Sequence, residues 1–378
     1  MSYPLTDDQQ LMRQDAADFA KQYLEPAAVN LDKTGEYPTA IINEMAQHDF
    51  FGLFLPENLG GAGAGYLSYV LVVEALAGTS AAISSILVNH ASLACYAINK
   101  WGNEEQKKKY LPQMAAGTLL GGFAFSEDGP ALGIGPHPLI ATPTADGFSL
   151  TGTKPLVANA GVAGVYVVFG CIHPVGPATK PTAFIVDAKT PGVTVGPGVS
   201  NMGLHGRPTA DLNFKNAAVS SSQVLGAANQ GDAIAKETMA VASVAEAAET
   251  VGIAQSAVEL AAKYAQQRIQ FRKPIAAFDA VQTLLADVAT NCHLARLAIH
   301  DAAALIENGK PFANEAAMVK SFASRIGLES LIDAVQVEGG IGYSEDMPLA
   351  RLFRDVAGTT LRDAPDDFPE RLIAANIC

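Results

Sequence analysis

The sequence predicts a mainly α-helical protein with a β insert. An N-terminal helical domain covers 1–118, a small antiparallel β-barrel or sandwich covers 119–226, and a C-terminal domain like a four-helix bundle covers 227–378. Three observations predict it. Apolar residues recur at helical spacing to about residue 118, short alternating runs punctuated by Gly, Pro and Asp follow, and long stretches nearly free of Gly and Pro close the chain. A chain of 378 residues, 49% apolar and 17% charged, has enough apolar material for more than one small core.

The first helix lies in LTDDQQLMRQDAADFAKQYLEP, where Thr6 and Gln9 have the spacing of a capping box. Leu5, Met12, Ala16, Phe19, Ala20 and Tyr23 form its apolar stripe, and Pro26 marks its end. NEEQKKKYLPQMAAGT supplies a charged helix that closes the first domain. In the middle, GFSLTGTK, GVYVVFGCI, PTAFIVDA, GVTVG and ADLNFKN read as strands, because apolar residues alternate between turn formers. The last domain rests on three long helical stretches, which begin AIAKETMAVASV, AVQTLLADVA and NEAAMVKSFA.

Charge and cysteine usage narrow the function classes. A formal net charge of −13 disfavours nucleic acid and anionic membrane surfaces, which require clustered Lys and Arg. Cys95, Cys171, Cys292 and Cys378 lack CxxC spacing, which points to a reducing compartment without disulfides or a structural metal. MSYPLTDDQQ has no basic stretch before an apolar one, and VAGVYVVFGCI (162–172) is far short of the roughly 20 residues that span a bilayer. A cytoplasmic protein without membrane insertion is expected.

Two segments carry more than periodicity. RIQFRKPIAAFDAVQTLLADVA (268–289) offers Arg268, whose planar, permanently charged fork suits a pyrophosphate. QVEGGIGYSEDMPLARLFRD (336–355) contains Gly339-Gly340, where a missing Cβ lets backbone N–H groups approach a ligand. Taken singly, Arg268 also reads as a surface charge ending a helix and the Gly pair as a helix cap. Jointly, at this spacing and with NMGLHGRPTADLNFKN (201–216), they resemble the acyl-CoA dehydrogenase family over essentially the whole chain.

The resemblance implies FAD. It assigns Arg268, Gln270, Phe271 and Ile275, with Gln336, Gly339 and Gly340, to the adenosine diphosphate half of an FAD held in a neighbouring subunit, hence a homotetramer. Phe125, Ser126, Leu156 and Ala158 fall at the flavin-side positions. It further implies an acyl-CoA thioester substrate and an electron-transfer flavoprotein, or a similar acceptor. In the family a carboxylate removes the α-proton while hydride leaves the β-carbon for the flavin N5. The usual Glu stands nine residues after the arginine of R-D, which here is Asp363, counted from Arg354. Counting back from Arg371 reaches Ala364 instead, and Asp366 and Asp367 are rivals.

Several positions depart from the family. Leu156 replaces an aromatic that packs on the flavin, Ala158 replaces a hydroxyl near N5, Leu132 replaces a Ser, and Ser243 replaces an Arg. Ala242 occupies the place where some members carry the base, with Glu246 one helical turn later. His90 reads as a packed, hydrogen-bonded histidine. The expected activity is dehydrogenation of a short, branched or cyclic acyl-CoA, the cyclic class because members with Asp as base act on alicyclic thioesters. A non-redox lyase that retains FAD, or a catalytically silent subunit of a heteromeric enzyme, are the alternatives.

Overall fold

A computed structural model describes residues 5–127, 138–176, 179–361 and 367–377. Helix α1 (Asp7–Phe19) opens the chain, and Thr6 and Gln9 form the expected capping box. Ala16, Phe19 and Ala20 are buried, and Leu5, Met12 and Tyr23 pack beside them. Pro26 does not end the helical path. The chain passes through a π-helical turn at Ala20–Leu24 and continues as α2 (Glu25–Thr34), with Pro26 in its first turn.

The rest of the first region contains α3 (Thr39–Gln47), α4 (Gly65–Ala77), α5 (Ala81–Val88), a second π segment (Asn89–Cys95), α6 (Tyr96–Trp101) and α7 (Glu104–Ala115). Asn103 and Gln106 cap α7 reciprocally. The Ala81–Trp101 stretch is long and apolar enough to cross a bilayer, yet nearly all of it is buried inside the protein. Its Ile83, Ile86, Leu87 and Val88 join the core formed with α4 and the helix after the sheet. His90 is packed as expected: its Nδ1 accepts from the Gly121 N–H at 2.9 Å, and its Nε2 lies 3.1 Å from the Met114 carbonyl. Burial pulls its pKa down to about 4, so the ring is a neutral clip between helix and sheet.

Among the described residues eight strands make one sheet: β1 (Gly121–Ala124), β2 (Ile140–Pro143), β3 (Gly147–Ala158), β4 (Val165–Ile172), β5 (Pro181–Asp187), β6 (Val193–Gly198), β7 (Thr209–Ser220) and β8 (Val224–Leu225). The order is β6-β7-β3-β2-β4-β5-β8, with β1 alongside β4. Most pairs are antiparallel, as the short connections dictate. The pairs β1/β4 and β2/β4 are parallel, which the intervening β3 permits by serving as a crossover. β4 and β5 are buried on both faces, which explains their nearly continuous apolar runs.

The C-terminal region holds α8 (Gly231–Gln267), a hairpin of β9 (Ile269–Gln270) and β10 (Lys273–Pro274), α9 (Asp279–Glu307), α10 (Ala313–Glu338), α11 (Pro348–Leu361) and α12 (Asp367–Ile377). Helix α8 runs about 55 Å at 1.5 Å per residue and contributes to the cores of both the sheet side and the bundle. It crosses α4 at Gly252, where an added Cβ would stand 2.2 Å from the Glu74 carbonyl oxygen. Gly252→Ala should therefore push two buried helices apart and lower stability by about 1–3 kcal/mol, read as a lower melting temperature.

Candidate active site

A cleft forms where β1 and β3 meet the start of α8. Phe123, Phe125 and Ser126 form one wall, Pro155, Leu156, Val157 and Ala158 the other, and Met239 closes it. The four residues expected on the flavin side, Phe125, Ser126, Leu156 and Ala158, are thus brought together. Phe125 is fixed by edge-on contact with Phe169 at 5.1 Å, while Ala158 is buried in register with Thr209.

Leu156 is held in an unusual state. Between Lys154 and Val157 the strand carries one residue more than its partner β7, a bulge that redirects the side chain. Leu156 adopts φ +54°, its N–H donates to Asp211 Oδ1 at 3.0 Å, and its side chain is 61% exposed. A left-handed, solvent-facing leucine is strained and unfavourably hydrated, a combination found where a ligand is to be covered.

Lys154 holds both walls of this cleft. Its Nζ donates to the Phe125 carbonyl at 2.9 Å and to Glu127 Oε1 at 2.8 Å, and the same carboxylate oxygen accepts from the Leu139 N–H. The pair is buried, with side-chain exposures of 1% and 7%. Burial lowers the Lys154 pKa although Glu127 opposes the shift. Sequence reasoning missed Lys154; its only local signal is a charged residue inside an otherwise alternating strand.

A second group lies at the far ends of α8 and α10. Arg268 follows the last turn of α8, and Gln270 and Phe271 belong to the hairpin, where Phe271 and Arg272 take φ of +50° and +66°. Arg268, Gln270 and Gln336 are exposed, and among the described residues the Arg268 guanidinium has no acceptor. Ile275 packs into the cluster that includes Ala265, Leu331, Ala334 and Val337, which ties the hairpin to the end of α10. Gly339 ends α10 at φ +69° and ψ −145°, a conformation that only glycine adopts readily. Gly340 needs no such conformation, and a Cβ there would meet nothing within 4 Å. An exposed arginine and an open glycine turn, on elements tied together through Ile275, suit the pyrophosphate-bearing half of FAD.

The two remaining motifs meet each other. Arg354 on α11 grips Asp32 through Nη1 at 2.9 Å and Nη2 at 2.5 Å and also donates to the Met202 carbonyl. Asp355 accepts the Leu204 N–H at 2.6 Å, and burial pushes its carboxyl up to about 6 against the pull of that bond and of Arg351. Burial would also raise Asp32, but the hydrogen bonds and charge of Arg354 outweigh it and hold the carboxyl below its usual value. Both ring nitrogens of His205 face carbonyl oxygens, at 2.7 and 2.9 Å, and although burial pulls its pKa down, these acceptors and the Asp32 charge raise it above the usual value. These contacts fasten the 201–216 segment to α11.

Asp363, Ala364 and Asp366 lie outside the described residues, as does Leu132; Asp367 begins α12, and its side chain is likewise undescribed. Ala242 is buried on α8. Glu246 does point inward, but into an ion pair with Lys320 at 2.8 Å.

Comparison with known proteins places this geometry. The acyl-CoA dehydrogenase N-terminal, middle and C-terminal domain models match residues 6–118, 123–217 and 229–377. An acyl-CoA dehydrogenase of Bacillus subtilis (strain 168) is 38% identical over 98% of both chains, and a 3-(aryl)acrylate reductase of Clostridium sporogenes is 36% identical over 98% of this chain and 99% of its own. The solved butyryl-CoA dehydrogenase of Megasphaera elsdenii superposes with a TM-score of 0.96 at 34% identity, covering 100% of both chains. The chain belongs to the acyl-CoA dehydrogenase family, FAD-binding oxidoreductases that act on CH–CH groups of acyl-CoA.

Proposed function

We propose that this protein dehydrogenates a short, branched or cyclic acyl-CoA thioester between its α- and β-carbons. The observation that carries the reading is the cleft that gathers Phe125, Ser126, Leu156 and Ala158 against Met239. Bound FAD would supply the hydride acceptor. The exposed apolar face of Leu156 would cover the flavin in place of the family's aromatic, and the Lys154–Glu127 pair would keep both walls fixed while water is excluded. Asp363 would take the α-proton, one methylene shorter than the usual Glu, so the substrate carbon must come closer or the backbone must advance. An electron-transfer flavoprotein or similar carrier would accept the electrons, and the cytoplasm would be the working compartment.

The length of α8 supports assembly with a neighbouring copy. Met239 at the cleft and Arg268 at the helix end are 29 positions apart, about 43 Å along the axis, too far for one dinucleotide to touch both in one protomer. Arg268, Gln270, Phe271, Gln336, Gly339 and Gly340 would therefore serve a neighbour's FAD in a homotetramer. Ile269, Phe271, Ile341 and Tyr343 support this, being exposed by 54%, 87%, 48% and 87% beside those residues. Arg268→Ala should weaken FAD retention about 10- to 100-fold, the size of one charge-assisted hydrogen bond to a phosphate, without lowering the stability of the flavin-free chain. Gly340→Val should do the same, because its side chain meets only what lies outside the protomer; flavin absorbance after gel filtration reads both.

The test is product mass. Butyryl-, isobutyryl- and cyclohexanecarbonyl-CoA are each incubated with FAD-loaded protein and an artificial electron acceptor. Loss of two hydrogens from one of them supports the reading. Unchanged thioesters throughout, or loss of water from a hydroxyacyl-CoA without an acceptor, would point to the silent-subunit or lyase alternative. The identity to a 3-(aryl)acrylate reductase also favours the reverse direction, in which the same site saturates the carbon–carbon double bond.

A further inference from the structure

The bundle contains a second buried ion pair, away from the cleft walls. Glu246 on α8 and Lys320 on α10 are 2.8 Å apart with side-chain exposures of 3% and 2%. Removing two charges from water is costly, and a pair of apolar residues would ordinarily pack there at no loss. The lysine has another engagement. Its Nζ donates to the Thr359 carbonyl at 2.5 Å.

Thr359 belongs to the last turn of α11, which ends at Leu361. The last four carbonyls of a helix lack an intrahelical donor, and a cation is the favoured partner at that end. Lys320 meets both needs. The turn is held from α8 as well: the Thr250 hydroxyl lies 3.0 Å from Thr359 Oγ1 and 2.9 Å from the Glu246 carbonyl, while Thr359 Oγ1 donates to the Val356 carbonyl at 2.8 Å. Thr250, Thr359, Glu246 and Lys320 are all buried. Helices α8 and α10 thus both hold Thr359, α10 through the backbone carbonyl and α8 through the side-chain hydroxyl, four positions before Asp363.

We propose that Lys320, oriented by Glu246, is a positioning residue for the reaction: it clamps the last turn of α11 and so fixes the point from which the chain leaves toward its base. The proposal rests on the reading of Asp363 as that base. Glu246 is then the partner that aims the Lys320 side chain, not a rival base. Proton abstraction is sensitive to such placement, since a misplacement of about 1 Å can cost around a hundredfold in rate.

The experiment uses FAD-loaded protein and the thioester of the panel above that the wild type dehydrogenates fastest, with flavin reduction followed anaerobically by stopped flow. Lys320→Met alone removes the cation that stands 2.8 Å from the buried Glu246 carboxylate and can unfold the bundle, so Lys320→Met with Glu246→Met is made beside it. The double variant replaces the pair with apolar side chains but still leaves Thr359 without its cation. It should keep its FAD, its melting temperature and its thioester affinity, yet reduce flavin about 10- to 100-fold more slowly, with a larger isotope effect on α-deuterated thioester. Wild-type rate and isotope effect in the double variant would overturn the proposal and leave the pair as packing. Asp363→Asn run in parallel separates the two ideas: a slow Asp363→Asn with a fast double variant overturns the positioning role alone, whereas a fast Asp363→Asn overturns the base beneath it.

Discussion

Asp363→Asn is expected to slow flavin reduction by acyl-CoA about 10²- to 10⁴-fold, the usual contribution of a general base, while the protein still purifies with its FAD. The amide keeps the size of the side chain and loses only the ability to take a proton. The residues that hold the dinucleotide in our reading, from Phe125 to Gly340, are untouched. Asp366→Asn and Asp367→Asn, the other carboxylates of the span, should remain near wild type. Asp363→Glu restores the family's usual length and should retain more activity than the Asn variant. A fully active Asp363→Asn would move the assignment to one of its neighbours.

Lys154→Met should be the most destabilising single change at the cleft. It leaves the Glu127 carboxylate, 7% exposed, without its cation, and the Phe125 carbonyl without its donor. Breaking a buried pair from one side costs about 3–5 kcal/mol, because the remaining buried charge loses its counter-ion. The expected result is a large drop in melting temperature together with loss of bound FAD, since both cleft walls are tied to that ammonium. Lys154→Met with Glu127→Leu should recover much of the stability, because no charge is stranded, but not the flavin. A Lys154→Met protein as stable as wild type would show that the pair is hydrated or replaceable.

The parts of the fold that were legible in the sequence are those with local periodicity. The Thr6–Gln9 capping box, the stripe through Ala16 and Phe19, and the switch from helical to alternating patterns near residue 119 depend on residues a few positions apart. Pro26 misled as a stop because its tolerance in a first turn depends on a π-turn that no local pattern announces. The parallel β1/β4 pairing was equally silent, since register between distant strands leaves no mark in either one. At the site, Arg268 and the Gly339-Gly340 pair carried the family resemblance, and the proposed dinucleotide-binding residues come from that resemblance. Lys154–Glu127 and Lys320–Glu246 were not readable, because each joins side chains on elements that meet only after folding.

Redox chemistry on a thioester is read in the visible spectrum. The purified protein is loaded with FAD and titrated without oxygen with the mixed short, branched and cyclic acyl-CoA thioesters. The yellow flavin absorbance should bleach. A flavin that stays yellow at saturating thioester, while the melting temperature shows that the thioester has bound, would contradict it.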